Sequence, residues 1–289
     1  MKKTLAILPF LFLSSVPPIA VASEDGIVEA ARQVEARLGA RVGLVVLDTD
    51  NGRIWRHRAD ERFPMASTFK VLACGALLAR VDAGQEELDR PVRIEQADIV
   101  TYSPVTEGSV GREMSLRALC EATMRTSDNS AANKVLDALG GPDAVTGFMR
   151  ALGDRTTRLD RRETDLNQAT PGDPRDTTSP EAIAASLQTL VLGDALAAPS
   201  RDLLIEWLVG NAVGGPLLRA GIPGDWRIGD RTGAGGHGTR GVVAVLWPPE
   251  RAPVVAVVYI TETTASMDER NAAIAEIGRA VTATLSNTR

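Results

Sequence analysis

Segments with the pattern of β-strands lie near both ends of this chain, and a long helical block separates them. Apolar runs at 41–47 and 53–57, joined by the turn at 50–52, predict two neighbouring antiparallel strands. Three more segments of this type follow close together, at 226–231, 242–247 and 254–261. The fold therefore has to assemble one sheet from both ends of the chain.

Helical periodicity fills most of the remaining sequence. Helices are predicted at about 24–38, 67–79, 115–124, 129–139, 142–152, 180–192, 200–209 and 267–285. We predict an α+β fold with three α/β/α layers, in which helices flank a five-stranded antiparallel sheet and an all-helical subdomain is inserted between the second and third strands. The α/β subdomain should comprise 23–60 and 210–289, and the all-helical subdomain 61–209. The cleft between two such parts is the usual place for a site.

The first 22 residues have the pattern of a signal peptide. Lys2 and Lys3 precede a short apolar run, and Ala20-Val21-Ala22 fits the small-residue rule for a cleavage site. We expect a secreted, periplasmic protein that is cleaved after about Ala22 and has no membrane anchor. The formal net charge is −5 and the basic residues are scattered singly, so we expect no nucleic-acid partner.

Cys74 and Cys120 are the two cysteines of the chain, and His57 and His237 its two histidines. After export the cysteines can pair, or they can remain two buried free thiols, and their positions alone leave both options open. Two histidines are too few for a His-rich zinc site. We expect neither a metal nor a cofactor.

Ser67 and Lys70 stand three residues apart at the start of a predicted helix. Residues at this spacing share a helix face, so the lysine ammonium can lie beside the serine hydroxyl. The helix N-terminus adds backbone donors near developing negative charge. The alternative is an N-cap serine followed by a solvated lysine, but the helix is apolar on all sides, and a lysine on a buried helix needs a partner.

Two further short motifs are each weak by themselves. Ser127-Asp128-Asn129 opens another helix and could be an ordinary capping cluster. Arg231-Thr232-Gly233 ends a predicted strand, where small residues would let a flat ligand lie against the strand edge or simply mark a bulge.

In this order, Ser67–Lys70, Ser127–Asn129 and Arg231–Gly233 resemble the three motifs of penicillin-recognising serine enzymes. Glu163-Thr-Asp-Leu-Asn167, on the long loop at about 158–176, is similar to the element typical of class A serine β-lactamases. The resemblance runs over essentially the whole chain after residue 22. It includes Tyr102-Ser103-Pro104-Val105, Arg161-Arg162, 175–178, Arg240 and the pairing of Cys74 with Cys120.

The resemblance implies that Ser67 opens the β-lactam ring and that a water activated by Glu163 releases the acyl-enzyme. Lys70 and Ser127 would transfer protons, and either Lys70 or Glu163 could be the base of acylation. The backbone N–H groups of Ser67 and Ala234 would form the oxyanion hole, and an Arg161–Asp176 ion pair would hold the long loop. The implied substrate-binding residues are Tyr102, Asn129, Asn167, Arg231, Thr232, Gly233, Ala234 and Arg240. The partners would be small β-lactams, and the protein a monomer.

Two positions depart from the usual family pattern. Arg231 stands where most members have lysine, and here the chain is similar to the carbenicillin-hydrolysing subgroup, which implies activity on carboxypenicillins. Thr164 follows Glu163 where many members have proline, at a peptide bond that is cis in the family. A non-proline cis bond costs about 3–4 kcal/mol, so the sequence leaves the isomer open.

Other functions share parts of the pattern. A D-alanyl-D-alanine carboxypeptidase has the three motifs, but Glu163 and Asn167 are not expected in it. A penicillin-sensing receptor domain would need a membrane anchor. The G-x-G-x-x-G match at 233–238 does not predict dinucleotide binding, because a strand rather than a helix is expected after it.

Overall fold

The computed structural model describes residues 26–286, so the predicted signal peptide at 1–22 lies outside the described residues. The helices are α1 Gly26–Leu38, α2 Phe69–Asp82, α3 Leu116–Thr126, α4 Asn129–Leu139, α5 Pro142–Ala151, α6 Pro180–Val191, α7 Ala198–Val209 and α8 Met267–Ser286. The strands of the main sheet are β1 Arg41–Asp48, β2 Ile54–His57, β3 Arg227–Ala234, β4 Arg240–Trp247 and β5 Val254–Thr261. Every predicted helix and strand is present.

The five strands form one antiparallel sheet in the order β2-β1-β5-β4-β3. The central pairing joins the two ends of the sequence, because Arg41 of β1 lies opposite Thr261 of β5 and Asp48 lies opposite Val254. Six helices, α2 to α7, come between β2 and β3 in the chain. The predicted α+β fold is confirmed, whereas the exact division into two subdomains remains a prediction.

Both faces of the sheet are covered, which explains why its strands are almost continuously apolar. Successive side chains of a strand point to opposite faces. On β1, Val42, Leu44 and Val46 belong to the core formed with the terminal helices α1 and α8. Val45 belongs to the second core, which contains the central helices. The sheet therefore separates two hydrophobic cores.

Helix α2 passes through the second core and is buried over most of its length. All ten residues from Phe69 to Leu78 are buried, including Lys70. Cys74 of α2 is disulfide-bonded to Cys120 of α3, with 5.8 Å between the Cα atoms. The bond confirms the pairing that the family resemblance implied, and it anchors α2 to its neighbour.

Strand β3 continues beyond its predicted end at 231. Gly233 pairs with Gly241, and Ala234 with Arg240, so the Arg231–Gly233 motif lies inside the strand. Glycine is a poor strand former, and only the pairing with β4 extends the strand this far. Between residues 26 and 286, no helix is both long and apolar enough to cross a membrane.

Candidate active site

Ser67 lies in a turn that leads into helix α2. Residues Ala66–Thr68 form a single turn of 3-10 helix directly before Phe69. The Ser67 hydroxyl donates a hydrogen bond to Glu163 Oε1 over 3.3 Å. The first backbone N–H groups of a helix have no partner within it, so this turn brings unused donors and a positive dipole end to the serine.

Strand β3 runs directly against this turn, and Gly233 permits the approach. A Cβ atom at position 233 would lie 2.7 Å from the Met65 carbonyl oxygen and 3.2 Å from the Ser67 backbone nitrogen. A side chain here would therefore push the strand away from the turn. Glycine keeps the segment that carries Ala234 next to the nucleophile.

Lys70 is completely buried and is surrounded by acceptors. Its Nζ donates to the Asn129 side chain at 2.6 Å and to the Ser127 carbonyl oxygen at 2.9 Å. It also lies 3.0 Å from Glu163 Oε1 and 3.3 Å from Ser127 Oγ. Burial lowers the pKa of Lys70 to about 8; the negative charge of Glu163 opposes this shift and the positive charge of Arg231 adds to it. A neutral amine is therefore accessible near neutral pH.

Glu163 connects these groups to the loop predicted at 158–176. One carboxylate oxygen contacts both Ser67 and Lys70, and the other accepts a hydrogen bond from Asn167 Nδ2 at 2.5 Å. The short 3-10 turn Asp165–Asn167 places Asn167 beside the glutamate. The Glu163–Thr164 peptide bond is cis, which answers the question that the sequence left open.

Asn133 fixes the backbone of Glu163 and was missed in the sequence. Its Oδ1 accepts a hydrogen bond from the Glu163 N–H at 3.0 Å, and its Nδ2 donates to the Glu163 carbonyl at 2.8 Å. The one feature of the sequence that could have indicated a role for Asn133 is its position four residues after Asn129, on the same face of α4. That spacing gives no hint of a partner thirty residues away.

The loop that carries Glu163 closes on a buried carboxylate. Asp176 accepts a hydrogen bond from Arg161 Nε at 2.5 Å, which confirms the predicted ion pair. Asp176 also accepts from the backbone N–H groups of Asp160 and Arg161 at 2.8 and 2.9 Å. Charge-assisted bonds of this kind are the stronger ones, and here they join the two ends of the loop.

The motif Ser127–Asn129 lies where helix α3 ends and α4 begins. Ser127 has the left-handed φ of a C-cap, 65°, and Asp128 caps α4 by accepting from the Ala131 N–H. The capping interpretation is correct for Asp128 alone. The side chains of Ser127 and Asn129 instead face Lys70.

Arg231 is fully buried on β3, opposite the serines. Its Nη2 donates to Ser127 Oγ, whereas its Nε and Nη1 have no hydrogen-bond partner among the described residues. Burial lowers the pKa of Arg231 to about 10, and the charges of Asp230 and Glu163 oppose the shift. The guanidinium therefore stays charged at neutral pH and has donors to spare.

Arg240 lies at the start of the neighbouring strand. Its Nε donates to Asn271 at 2.8 Å and its Nη1 to the Gly233 carbonyl at 3.2 Å. Burial lowers its pKa to about 10, and the nearby Arg270 adds to the shift. Two buried guanidinium groups thus give the strand side of the site a positive potential.

These elements enclose a cleft of about 380 Å³. The predicted site residues in its lining are Ser67, Tyr102, Ser127, Asn129, Asn167, Thr232, Gly233, Ala234 and Arg240. Three buried residues form hydrogen bonds to lining residues from the protein interior: Lys70, Glu163 and Arg231. Val213 and Met267 also line the cleft and were missed, because single apolar residues in loops or at helix starts carry no functional signal in a sequence.

The strand and turn at 233–238 lead into β4 and not into a helix, which excludes the dinucleotide motif. Within residues 26–286 there is no group of three or more histidine, cysteine, aspartate or glutamate side chains able to hold a metal ion. The cleft therefore offers a serine, an amine, a carboxylate and fixed cations as its chemistry.

Comparisons with known proteins agree on one family. The family model described as the beta-lactamase enzyme family matches residues 27–285. The chain is 48% identical over 262 residues to β-lactamase AER-1 of Aeromonas hydrophila, covering 90% of this chain and 86% of that protein.

Solved structures give the same result. An ancestral class A β-lactamase is 56% identical, with a TM-score of 0.88, covering 89% of this chain and 99% of that one. A putative class A β-lactamase from Rhodopseudomonas palustris is 54% identical, with a TM-score of 0.88, covering 90% of this chain and 99% of that one.

Proposed function

Because the chain belongs to the beta-lactamase enzyme family and is a class A β-lactamase, we propose that it hydrolyses penicillins through an acyl-enzyme on Ser67 that Glu163 helps to release. One observation carries the proposal. Ser67 Oγ and Lys70 Nζ lie within 3.3 and 3.0 Å of the same Glu163 oxygen, and Ser67 faces the cleft. A nucleophile in contact with a base and an amine is the usual arrangement for acyl transfer.

In acylation, Ser67 Oγ attacks the lactam carbonyl carbon and loses its proton to Lys70 or Glu163. The carbonyl oxygen becomes an oxyanion, which the backbone N–H groups of Ser67 and Ala234 stabilise. The C–N bond then breaks, and Ser127 gives a proton to the leaving nitrogen. Lys70 can return that proton, since its Nζ lies 3.3 Å from Ser127 Oγ.

In deacylation, Glu163 and Asn167 hold a water against the acyl carbonyl. Glu163 accepts the proton of the attacking water, and the bond from the acyl carbon to Ser67 Oγ breaks as the serine recovers a proton. The Asn167–Glu163 hydrogen bond and the support from Asn133 favour this role. A glutamate whose carboxylate is bonded by Asn167 and whose backbone is bonded by Asn133 needs little reorganisation during the reaction.

The strand side binds the substrate carboxylate in this proposal. Thr232 and Arg240 line the cleft, and Arg231 contributes a buried charge behind them. Planar guanidinium groups suit carboxylates because they donate two parallel hydrogen bonds. Gly233 and the Ala234 backbone would flank the bound ring, Asn129 would bind the acyl amide, and the exposed ring of Tyr102 would pack against the acyl side chain.

We extend the proposal to carboxypenicillins such as carbenicillin. Their acyl side chain carries a second carboxylate, and the positive potential of Arg231 and Arg240 favours a doubly charged substrate. Arg240 contributes to this potential from the lining of the cleft and Arg231 from the buried strand behind it. We also propose export to the periplasm after cleavage near Ala22, a monomeric state, and the two-part division at residues 61 and 210.

Turnover by the purified protein tests the function. We expect repeated hydrolysis of benzylpenicillin and carbenicillin, and loss of both activities in a folded Ser67→Ala variant. Nitrocefin gives a continuous optical readout. A single acylation of the wild type followed by a stall would instead favour a carboxypeptidase or a penicillin sensor.

A further inference from the structure

We propose that the buried hydroxyl pair of Ser103 and Ser130 positions Tyr102 and thereby determines how tightly the enzyme binds the acyl side chain of a penicillin. This inference rests on the proposed function, in which Tyr102 packs against that side chain. Ser130 belongs to helix α4, and Ser103 belongs to the segment 100–106, which carries Tyr102. Their hydroxyl groups meet where the helix contacts this segment. Neither takes part in the proton transfers proposed above.

Tyr102 has a backbone conformation that it does not favour by itself. Its φ is 66°, in the left-handed region, which costs a residue other than glycine about 1–3 kcal/mol. The residue is 55% exposed, so packing of the ring contributes little to holding this conformation. The neighbouring contacts must therefore impose the conformation.

Helix α4 supplies those contacts from its first two residues. The Asn129 N–H donates to the Tyr102 carbonyl at 3.0 Å, and Asn129 Nδ2 donates to the Thr101 carbonyl at 2.8 Å. The Val100 N–H donates to Ser130 Oγ at 2.9 Å, and Ser130 Oγ lies 2.7 Å from Ser103 Oγ. The two serines thus hold the segment on both sides of Tyr102.

The hydrogen bonds of the two hydroxyls form one closed set. Ser103 Oγ donates its proton to the Val100 carbonyl at 2.9 Å and accepts from the Ser130 N–H at 3.1 Å. Its proton is then used, so Ser130 must donate to Ser103 and accept from Val100. Both hydroxyls are buried, and a fully satisfied buried network fixes a single geometry.

Loss of one hydroxyl should release Tyr102 without touching the chemistry. Ser130→Ala would leave the Val100 N–H and Ser103 without their partner. Within the described residues, Ser130 makes no hydrogen bond to Ser67, Lys70 or Glu163. A contact made equally in the ground state and the transition state affects KM and leaves kcat unchanged.

The experiment compares two substrates with the same ring system. Benzylpenicillin carries an aromatic acyl side chain, and 6-aminopenicillanic acid carries none. For Ser130→Ala we expect the KM of benzylpenicillin to rise about five- to tenfold, the effect of one lost buried hydrogen bond. The kcat for benzylpenicillin and the kcat/KM for 6-aminopenicillanic acid should stay at the wild-type level.

Further variants separate positioning from general destabilisation. Ser200→Ala is the matched control, because Ser200 is also a buried helical serine whose hydroxyl donates to a single side chain, Asp82, at 2.5 Å. It should lower Tm without a difference between the substrates. Ser130→Thr keeps the hydroxyl and should restore the KM of benzylpenicillin. In a Tyr102→Ala background, Ser130→Ala should have no further effect on that KM.

Ser103→Ala tests the same contact from the other side and serves if Ser130→Ala does not fold. Its effect and that of Ser130→Ala should be non-additive, as for residues in one network. Equal losses for both substrates, or an effect that persists without the Tyr102 ring, would overturn the inference. A wild-type protein that does not turn over benzylpenicillin would overturn the proposed function instead.

Discussion

Lys70 and Arg231 are both fully buried cations in one cleft, but their surroundings differ. The Lys70 ammonium has three hydrogen bonds and a carboxylate at 3.0 Å. The Arg231 guanidinium contacts Ser127, and two of its three nitrogen atoms have no partner among the described residues. Burial lowers the pKa of both groups, but only the Lys70 ammonium is surrounded by hydrogen-bond acceptors.

This difference indicates that the two sides of the cleft have different roles. Lys70 belongs to the helical side, with Ser67, Ser127 and Glu163, and Arg231 belongs to the strand side. The helical side is complete by itself, since its amine, hydroxyls and carboxylate already contact one another and can exchange protons. The strand side holds two buried cations, Arg231 and Arg240, whose positive potential favours an anionic ligand. The helical side should therefore control the rates of the chemical steps, and the strand side should control which substrate is preferred.

The largest effect is expected from Glu163→Ala on the helical side. Loss of a general base typically lowers a rate about 10²–10⁴-fold, and we expect a drop of this size in kcat for benzylpenicillin. Acylation should survive, so that a penicilloyl adduct accumulates on Ser67. Intact-mass spectrometry after mixing with benzylpenicillin detects that adduct.

The matched control is Glu181→Ala, which removes an exposed glutamate of α6 that pairs with Arg56. It should turn over benzylpenicillin at the wild-type rate and show no adduct. Fast turnover by Glu163→Ala without an adduct would contradict the deacylation role and the assignment of rate control to the helical side.

The second effect concerns stability and should leave the helical chemistry intact. The Cys74–Cys120 bond closes a loop of 46 residues, and such a loop contributes roughly 4 kcal/mol in the chain-entropy model. Replacing both cysteines with alanine should lower Tm by about 10 °C and largely preserve kcat at 25 °C. Calorimetry and steady-state kinetics measure the two quantities. Near-complete loss of kcat in a folded double variant would show that α2 needs the bond to place Ser67.

The third prediction tests the strand side. Arg231→Lys exchanges a planar fork for a compact charge, so we expect kcat/KM to fall more for carbenicillin than for benzylpenicillin. A difference of about 1–2 kcal/mol, or roughly 5- to 30-fold, suits one repositioned charged contact. Parallel kinetics on the two substrates give this ratio. Equal changes would make Arg231 a general anchor.

The smallest effect is a pH dependence that tests whether Lys70 can act as the base of acylation. Glu163 holds the pKa of Lys70 up, so its removal should bring that pKa below about 8. A neutral Lys70 acting as base would make acylation of Glu163→Ala rise with pH up to the lowered pKa of Lys70 and level off above it. Stopped-flow acylation rates at several pH values test this. A profile that stays flat from pH 5 to pH 9 would exclude the lysine.

The sequence predicted the fold well, since apolar runs with turn signals and helical periodicity are local patterns. The motif residues were found through resemblance to a family. Asn133, Val213 and Met267 were missed because their roles depend on contacts far away in the chain. The end of β3 was misplaced for the same reason, because Gly233 and Ala234 become strand only through their partners on β4.

The two hydrogen bonds between Asn133 and the Glu163 backbone limit which residues can occupy position 133. The amide of Asn133 donates one hydrogen bond and accepts another from the same residue. Ionised aspartate has the right size but only acceptors, and serine or alanine is too short to reach both atoms. Replacement of Asn133 should therefore displace Glu163, and we expect the protein to tolerate it less well than replacement of the exposed Tyr102 side chain, which faces the cleft and the solvent.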